Sequence, residues 1–187
     1  MAIYTLQDFI REMDELTRTE GDPRRITEEG APLLQRLVSN PGCIEERFRR
    51  GGKEGHGRYM LHRAPHFNVT AVVWRPGDTA KAHNHRTWGL IGVIGNEIQE
   101  TRFKRLDDAS KAGYAELETI GVLMHKPRAV SRLVPPEEDI HEMLNTTPRD
   151  TVEIHVYGKD LMGLERLRFD PAAKMYTTFC SPKYDNC

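Results

Sequence analysis

From about residue 57 the sequence becomes a series of short β-branched and aromatic runs cut by turn-forming residues. No other feature limits the fold as strongly. Asn68-Val69-Thr70-Ala71-Val72-Val73-Trp74 stops at Pro76-Gly77, Trp88 to Ile98 is a second apolar run, and Glu100 to Phe103 follows. Gly121 to Met124, Val130 to Val134 and Thr151 to Tyr157 complete the series. Many short strands after a helical start predict an antiparallel sandwich or barrel with an N-terminal helical cap.

The helical start covers residues 1 to about 50. Leu6, Phe9, Ile10, Met13 and Leu16 recur at three- and four-residue spacings and form one apolar stripe. Gly21-Asp22-Pro23 breaks it, and a second stripe runs through Ile26, Ala31, Leu34, Leu37 and Val38 to Asn40-Pro41-Gly42. The basic cluster Arg47, Arg49 and Arg50 around Phe48 reads as a solvated helix end. The 187 residues suit one domain, with a barrel over about 57–170 and a tail over 171–187. The tail from Thr177 to Cys187 carries no readable role.

Acidic and basic residues nearly cancel, 28 against 27, so no global field points to nucleic acid or an anionic membrane. No stretch approaches the roughly 20 apolar residues that span a bilayer. The acidic, amphipathic start lacks the features of a signal peptide. Cys43, Cys180 and Cys187 are too few and too unevenly placed for a disulfide framework, so a reduced, cytoplasmic protein is expected.

The chemistry-bearing residues begin at His83-Asn84-His85, with five residues between Gly77 and His83. Two histidines two apart on a strand share a face, and the Pro-Gly turn before them suggests a strand start. A third, His141, opens His141-Glu142-Met143-Leu144-Asn145, with Pro136 five positions ahead. Together these segments resemble the two signature motifs of the cupin superfamily, G-x5-H-x-H and P-x-G-x2-H-x3-N. The resemblance implies a mainly β fold, the double-stranded β-helix or jelly-roll barrel, here with an N-terminal helical segment. Glu138 stands where the second motif has its glycine and Val130 where it has its leading glycine. The glutamate usual in the first motif is absent, and Gly89 occupies its approximate place. Three neutral histidines without a carboxylate leave a bound divalent ion its full charge and an open coordination face. Imidazole suits Fe, Cu, Zn and Ni alike, so ligand type alone does not choose the metal.

Thr151 to Tyr157 alternates strictly: Val152, Ile154 and Val156 share one face, and Glu153, His155 and Tyr157 the other. Alternation alone favours an edge strand with its polar side in water. With HNHRTWGLIGVIGNE, DIHEMLN and EIHVYG in order, however, the stretch from about Arg58 to Phe169 resembles the thiol dioxygenase branch of the cupins, the family of cysteine dioxygenase and 3-mercaptopropionate dioxygenase. That resemblance turns the polar face inward. It implies one Fe(II) per chain on His83, His85 and His141, at which a small thiol and O2 combine to give a sulfinic acid. It makes Tyr157 the residue that orients bound oxygen and His155 the one that fixes its hydroxyl. Glu153 stands where the family has a serine; a carboxylate there would hold His155 as an imidazolium or add negative charge beside the substrate. Gly89, near the place of the cysteine that animal members cross-link to the tyrosine, permits no cross-link.

By the same resemblance Arg58 falls near the carboxylate-binding arginine of cysteine dioxygenases, and Arg166 near that of mercaptopropionate dioxygenases. Both facing inward would suit a dicarboxylate thiol such as mercaptosuccinate. Alternatives are another metal-dependent cupin oxygenase acting on a carbon substrate, or a non-enzymatic ligand-binding cupin. His56, His62, His66 and His125 lack a spacing that converges on the site and are expected at the surface or in loops. Trp74 and Trp88 are expected in the barrel core.

Overall fold

The two apolar stripes form helices as their spacing predicts. In the computed structural model, which describes residues 3–52 and 55–186, α1 spans Leu6–Thr19 and α2 spans Pro23–Val38. Thr5 caps α1 by accepting from the Asp8 amide, while the Asp8 carboxylate accepts from the Thr5 amide, so two otherwise orphaned N–H groups are satisfied. Asp22 caps α2, with Pro23 at the first helical position, where its missing N–H costs nothing. Phe9 and Met13 of α1 and Leu34, Leu37 and Val38 of α2 are buried in one cluster. Cys43 is a buried free thiol and Cys180 an exposed one; Cys187 lies outside the described residues.

Among the described residues eleven strands follow: β1 Gly57–Arg63, β2 Asn68–Trp74, β3 Thr79–His83, β4 Gly89–Gly95, β5 Ile98–Arg105, β6 Leu117–His125, β7 Val130–Leu133, β8 Ile140–Leu144, β9 Thr151–Tyr157, β10 Arg166–Asp170 and β11 Met175–Phe179. They build a five-stranded sheet in the order β1-β2-β9-β4-β7 and a six-stranded sheet in the order β11-β10-β3-β8-β5-β6. All neighbouring strands pair antiparallel. This is the mainly β, cupin-type jelly-roll barrel that the motifs imply. The run from Trp88 to Ile98 divides at Asn96, whose φ of 62° turns the chain between β4 and β5. Among the described residues, no helix is long and apolar enough to cross a membrane.

The helices decide what faces the barrel interior. Val69, Ala71 and Val73 of β2, Leu90 and Ile94 of β4, and Val152, Ile154 and Val156 of β9 join α1 and α2 in one hydrophobic cluster. At about 25 cal/mol per Å² of apolar surface buried, this is the face the strands give to the helices. Period-2 alternation then sends the other side chains of β2, β4 and β9 inward. That is why the solvent-facing, edge-strand expectation for Thr151–Tyr157 fails: β9 lies between β2 and β4, and all seven of its residues are buried. The stretch expected to be a tail is also partly barrel. Met175–Phe179 pairs with β10 from Arg166↔Phe179 to Asp170↔Met175.

Candidate metal centre

The two histidine segments meet because their strands pair. β3 runs against β8 with His83 opposite His141. At the far end of the pair Gly77 adopts φ +81°, a conformation costly for a residue with a Cβ, and its amide donates to Asn145 O at 2.9 Å. Asn145 Nδ2 donates to Trp74 O and Arg149 O, so the asparagine ties β8 to β2 and to the turn that leads into β9. His83 is the last residue of β3, not near a strand start, and His85 lies in the turn after it. What aims His85 is therefore not strand alternation but Asp139, whose carboxylate accepts from the His85 and Arg86 amides. Arg86 has φ 54°, and this is the local bend that brings the second imidazole back to the first.

Each ring is held through Nδ1. His83 Nδ1 lies 2.8 Å from Lys81 O, His85 Nδ1 lies 3.1 Å from Asp139 Oδ1, and His141 Nδ1 lies 2.7 Å from Glu100 Oε1. With every Nδ1 against an oxygen acceptor, each ring carries its proton there and leaves the Nε2 lone pair free. The potential ligand atoms of the three histidines lie within 4.8 Å of one another and can hold one metal ion. His85 Nε2 is buried without a hydrogen-bond partner, as a nitrogen meant for an ion would be. Burial first, then the neighbouring histidines and Arg166, hold His83 and His85 well below the ordinary imidazole range, so both stay neutral, the form that ligates. Burial pushes Asp139 up to about 6. Glu100 goes the other way: burial opposes its charge, but hydrogen bonds from His125 and His141 hold it below the usual carboxylate range.

Glu100 and His125 were not anticipated as parts of the site. The His125 ring nitrogen lies 2.7 Å from Glu100 Oε2, and Ser131 Oγ and Arg102 meet the same carboxylate. His125 is thus an inner partner of the residue that orients His141 rather than a surface group. The alternation of β5 holds a faint signal, since Ile98 and Glu100 share a face and both are fully buried.

The cavity beside the histidines has a volume of about 390 Å³ and is walled by both sheets. Tyr157 stacks on His85 with ring centroids 5.3 Å apart, and its hydroxyl lies 2.8 Å from His155 Nδ1. His155 Nε2 lies 2.9 Å from Glu153 Oε2. Glu153 is fully buried behind the cavity wall, and its Oε2 also accepts from Trp74 Nε1 at 2.6 Å. Trp88 and Trp74 are both in the core as expected; Trp74 also borders the cavity, and His56 stacks on it at 4.4 Å instead of lying in solvent. Burial, then Arg58 and His155, push His56 down to about 4. His66 is exposed and His62 half-buried, in line with their expected places.

Arg58 and Arg166 both border the cavity. The stretch without a readable role supplies the wall that holds them. Ser181 Oγ bonds Arg166 Nη2, and Arg58 Nη1 donates to Pro182 O at 2.9 Å. Phe179 lies under the Arg166 guanidinium and Tyr184 under that of Arg58. Arg166 Nη1 donates to Asn84 O, leaving its buried Nε without a partner.

Fold and site together define a cupin-type barrel with a three-histidine centre suited to a divalent metal. No known family model matches the chain. Solved structures similar to it include three proteins. An uncharacterized conserved protein with a double-stranded β-helix domain from Klebsiella pneumoniae is 15% identical, with 63% of this chain and 84% of that one covered and a TM-score of 0.47. A cupin superfamily protein from Desulfitobacterium hafniense is 13% identical, with 64% and 87% covered and a TM-score of 0.43. An oxalate oxidase in complex with the substrate analogue glycolate is 15% identical, with 62% and 59% covered and a TM-score of 0.46.

Proposed function

We propose that this chain is an iron-dependent thiol dioxygenase that oxidises a small carboxylate-bearing thiol to its sulfinate. The observation that carries this reading is a cavity joining three elements: a three-histidine cluster, a buried phenol–imidazole–carboxylate chain, and a wall with cationic but no acidic side chains. Arg58, Lys81, Arg166 and Arg168 line the cavity, and no aspartate or glutamate does so among the described residues. An anionic substrate is favoured there, and a guanidinium suits a carboxylate through two parallel hydrogen bonds.

His83, His85 and His141 would hold Fe(II), which would supply a redox-active Lewis acid suited to a thiol and dioxygen. The protein's own residues do the rest. Arg166, with its Nε unpartnered, and Arg58 bind the carboxylate and fix the thiol end toward the histidines. Orientation of this kind contributes roughly 7–11 kcal/mol in favourable systems. Leu161, Phe179 and Pro182 border the cavity and reduce the water around the reacting atoms. Tyr157 presents its hydroxyl to the cavity beside His85, and His155 fixes that hydroxyl's direction.

Two inward arginines favour a thiol with two carboxylates, of the mercaptosuccinate type, over one with a single carboxylate. Steady-state oxygen uptake with mercaptosuccinate, 3-mercaptopropionate, cysteine and an uncharged thiol tests the substrate. The highest kcat/KM is expected for the dicarboxylate, and best turnover on the uncharged thiol would sink this assignment.

A further inference from the structure

The two sheets end on β1, β7, β6 and β11, and an end strand presents a row of backbone N–H and C=O groups on its outer side. The chain itself guards three of these edges. Along β1, Arg58 N donates to Asp185 Oδ2, Asp185 N donates to Arg58 O, and Met60 N donates to Asn186 Oδ1. Beside β11, Ala115 N donates to Lys174 O and Tyr176 N donates to Gly113 O. β7 has only four residues, and its Arg132 is tied to Thr27 and Glu28 of α2. β6 is different. It is the longest strand, nine residues, and among the described residues its backbone is hydrogen-bonded by β5 alone.

The side chains of this open edge are apolar. Ile120, Val122, Leu123 and Met124 are between 43% and 59% exposed. They are four of the eight large apolar side chains that the described residues expose, so apolar exposure is concentrated on this strand rather than scattered. Leu123 pairs with Glu100 and Val122 with Thr101, so the two point to opposite faces of the sheet. Apolar surface therefore flanks the open backbone on both faces. A helix laid on the edge covers one face and leaves the backbone groups unpaired. A β-strand that is itself apolar on both faces satisfies all three.

The charges at the two ends of β6 identify the occupant. Glu116 and Glu118 stand at its start, and His125, Lys126 and Arg128 at its end. Glu116 is held by Lys174 and His125 by Glu100, but Glu118, Lys126 and Arg128 have no ion-pair partner among the described residues. The strand is acidic at one end, basic at the other and apolar between, which makes it complementary to its own reverse. We propose that β6 is the self-association edge of this protein, where two copies pair antiparallel about a two-fold axis and join their six-stranded sheets. Ile120 is an extra residue opposite the Arg102–Phe103 step, and this bulge confines the new ladder to residues 121–125. Within it Val122 of one copy faces Met124 of the other, Leu123 faces Leu123, and Gly121 faces His125. Beyond the ladder Glu118 of each copy approaches Lys126 and Arg128 of the other, whereas a parallel pairing would set acid against acid. The contact uses the same patch twice, so it closes at two copies and does not propagate. None of these residues borders the cavity, so both sites stay open to substrate, and the proposal is independent of the reaction assigned above.

The test is sedimentation velocity of the full-length, metal-loaded chain from about 1 to 100 μM, since a short ladder with an apolar centre implies a Kd in the micromolar range. Twice the monomer mass is expected at the upper end, and a monomer throughout would overturn the proposal. Val122→Lys sets two ammonium groups at the ladder and should raise Kd about tenfold or more, with metal content and Tm unchanged. A variant that dimerises as well as the wild type would place the contact elsewhere and overturn the assignment. Glu118→Lys should weaken association a few-fold, and adding Lys126→Glu to it should restore association, because the reversed ends still match. No recovery in the double variant would contradict the antiparallel arrangement. Hydrogen exchange on the wild type reads the same contact without any substitution. Amide exchange in residues 121–125 should slow several-fold as concentration rises, and rates independent of concentration would overturn the proposal.

Discussion

Placing one carbon on Gly89 tests how tightly the tyrosine is seated. Gly89 pairs with Tyr157 across β4 and β9, and a Cβ there would lie 2.9 Å from Cδ1 and Cε1 of the ring and 3.2 Å from Leu133 Cδ1. Comfortable carbon–carbon separations are about 3.5–4.0 Å, so the ring must move by roughly half an ångström or more. It has little room to do so, being 5% exposed, stacked on His85 and bonded to His155. Overpacking of this kind costs typically about 1–3 kcal/mol. For a chain of this length that is a fall in Tm of about 2–12 °C. A displacement near 1 Å at a reacting centre costs on the order of 10²-fold in rate, so about tenfold is expected for half of it. The assay is a thermal melt of Gly89→Ala beside oxygen uptake at saturating thiol, with metal content measured on the same samples. Metal content should be unchanged, because Gly89 touches no ligand. Unchanged Tm and unchanged turnover would refute the packing argument.

Other consequences can be measured directly. His141→Ala should abolish metal retention, whereas Tyr157→Phe should keep the metal and lose turnover by roughly 10²-fold or more, read by metal analysis and oxygen uptake. Arg166→Ala and Arg58→Ala should each raise KM for a carboxylate thiol about tenfold or more, with a smaller change for an uncharged thiol, read from steady-state kinetics. The metal-free protein should lose stability as pH falls below about 6.5. His83, His85 and His56 are held neutral in the fold, so the unfolded chain binds the extra protons, and for His56 the loss runs down to about pH 4. Urea denaturation at several pH values between 7 and 4 checks this; stability that rises on acidification would contradict the sign.

The parts of this account that were legible in the sequence are those written in local periodicity. The stripes of α1 and α2, the alternation of β9 and the histidine spacing each survive in the structure because each is satisfied within one element or one strand pair. The inward aim of Glu153, His155 and Tyr157 was not local: alternation divides the faces but does not say which is covered, and the helices packed on Val152, Ile154 and Val156 decide it. His85 was grouped correctly with His83 for an incomplete reason, since Asp139 and the Arg86 bend position it rather than strand geometry. His56, Glu100 with His125, and the Ser181–Tyr184 wall were missed because each acquires its place from residues far away in sequence. Short segments such as Thr177-Thr178-Phe179-Cys180-Ser181-Pro182 carry no periodicity that announces a cavity wall.

The central claim is that three histidines and a carboxylate-binding cavity combine dioxygen with a thiol. The most direct test supplies 18O2 to the iron-loaded protein with mercaptosuccinate or 3-mercaptopropionate and weighs the product. The account predicts a sulfinate carrying both labelled oxygen atoms, formed in proportion to the oxygen consumed. A disulfide, an oxidised carbon or no thiol-dependent uptake would contradict it.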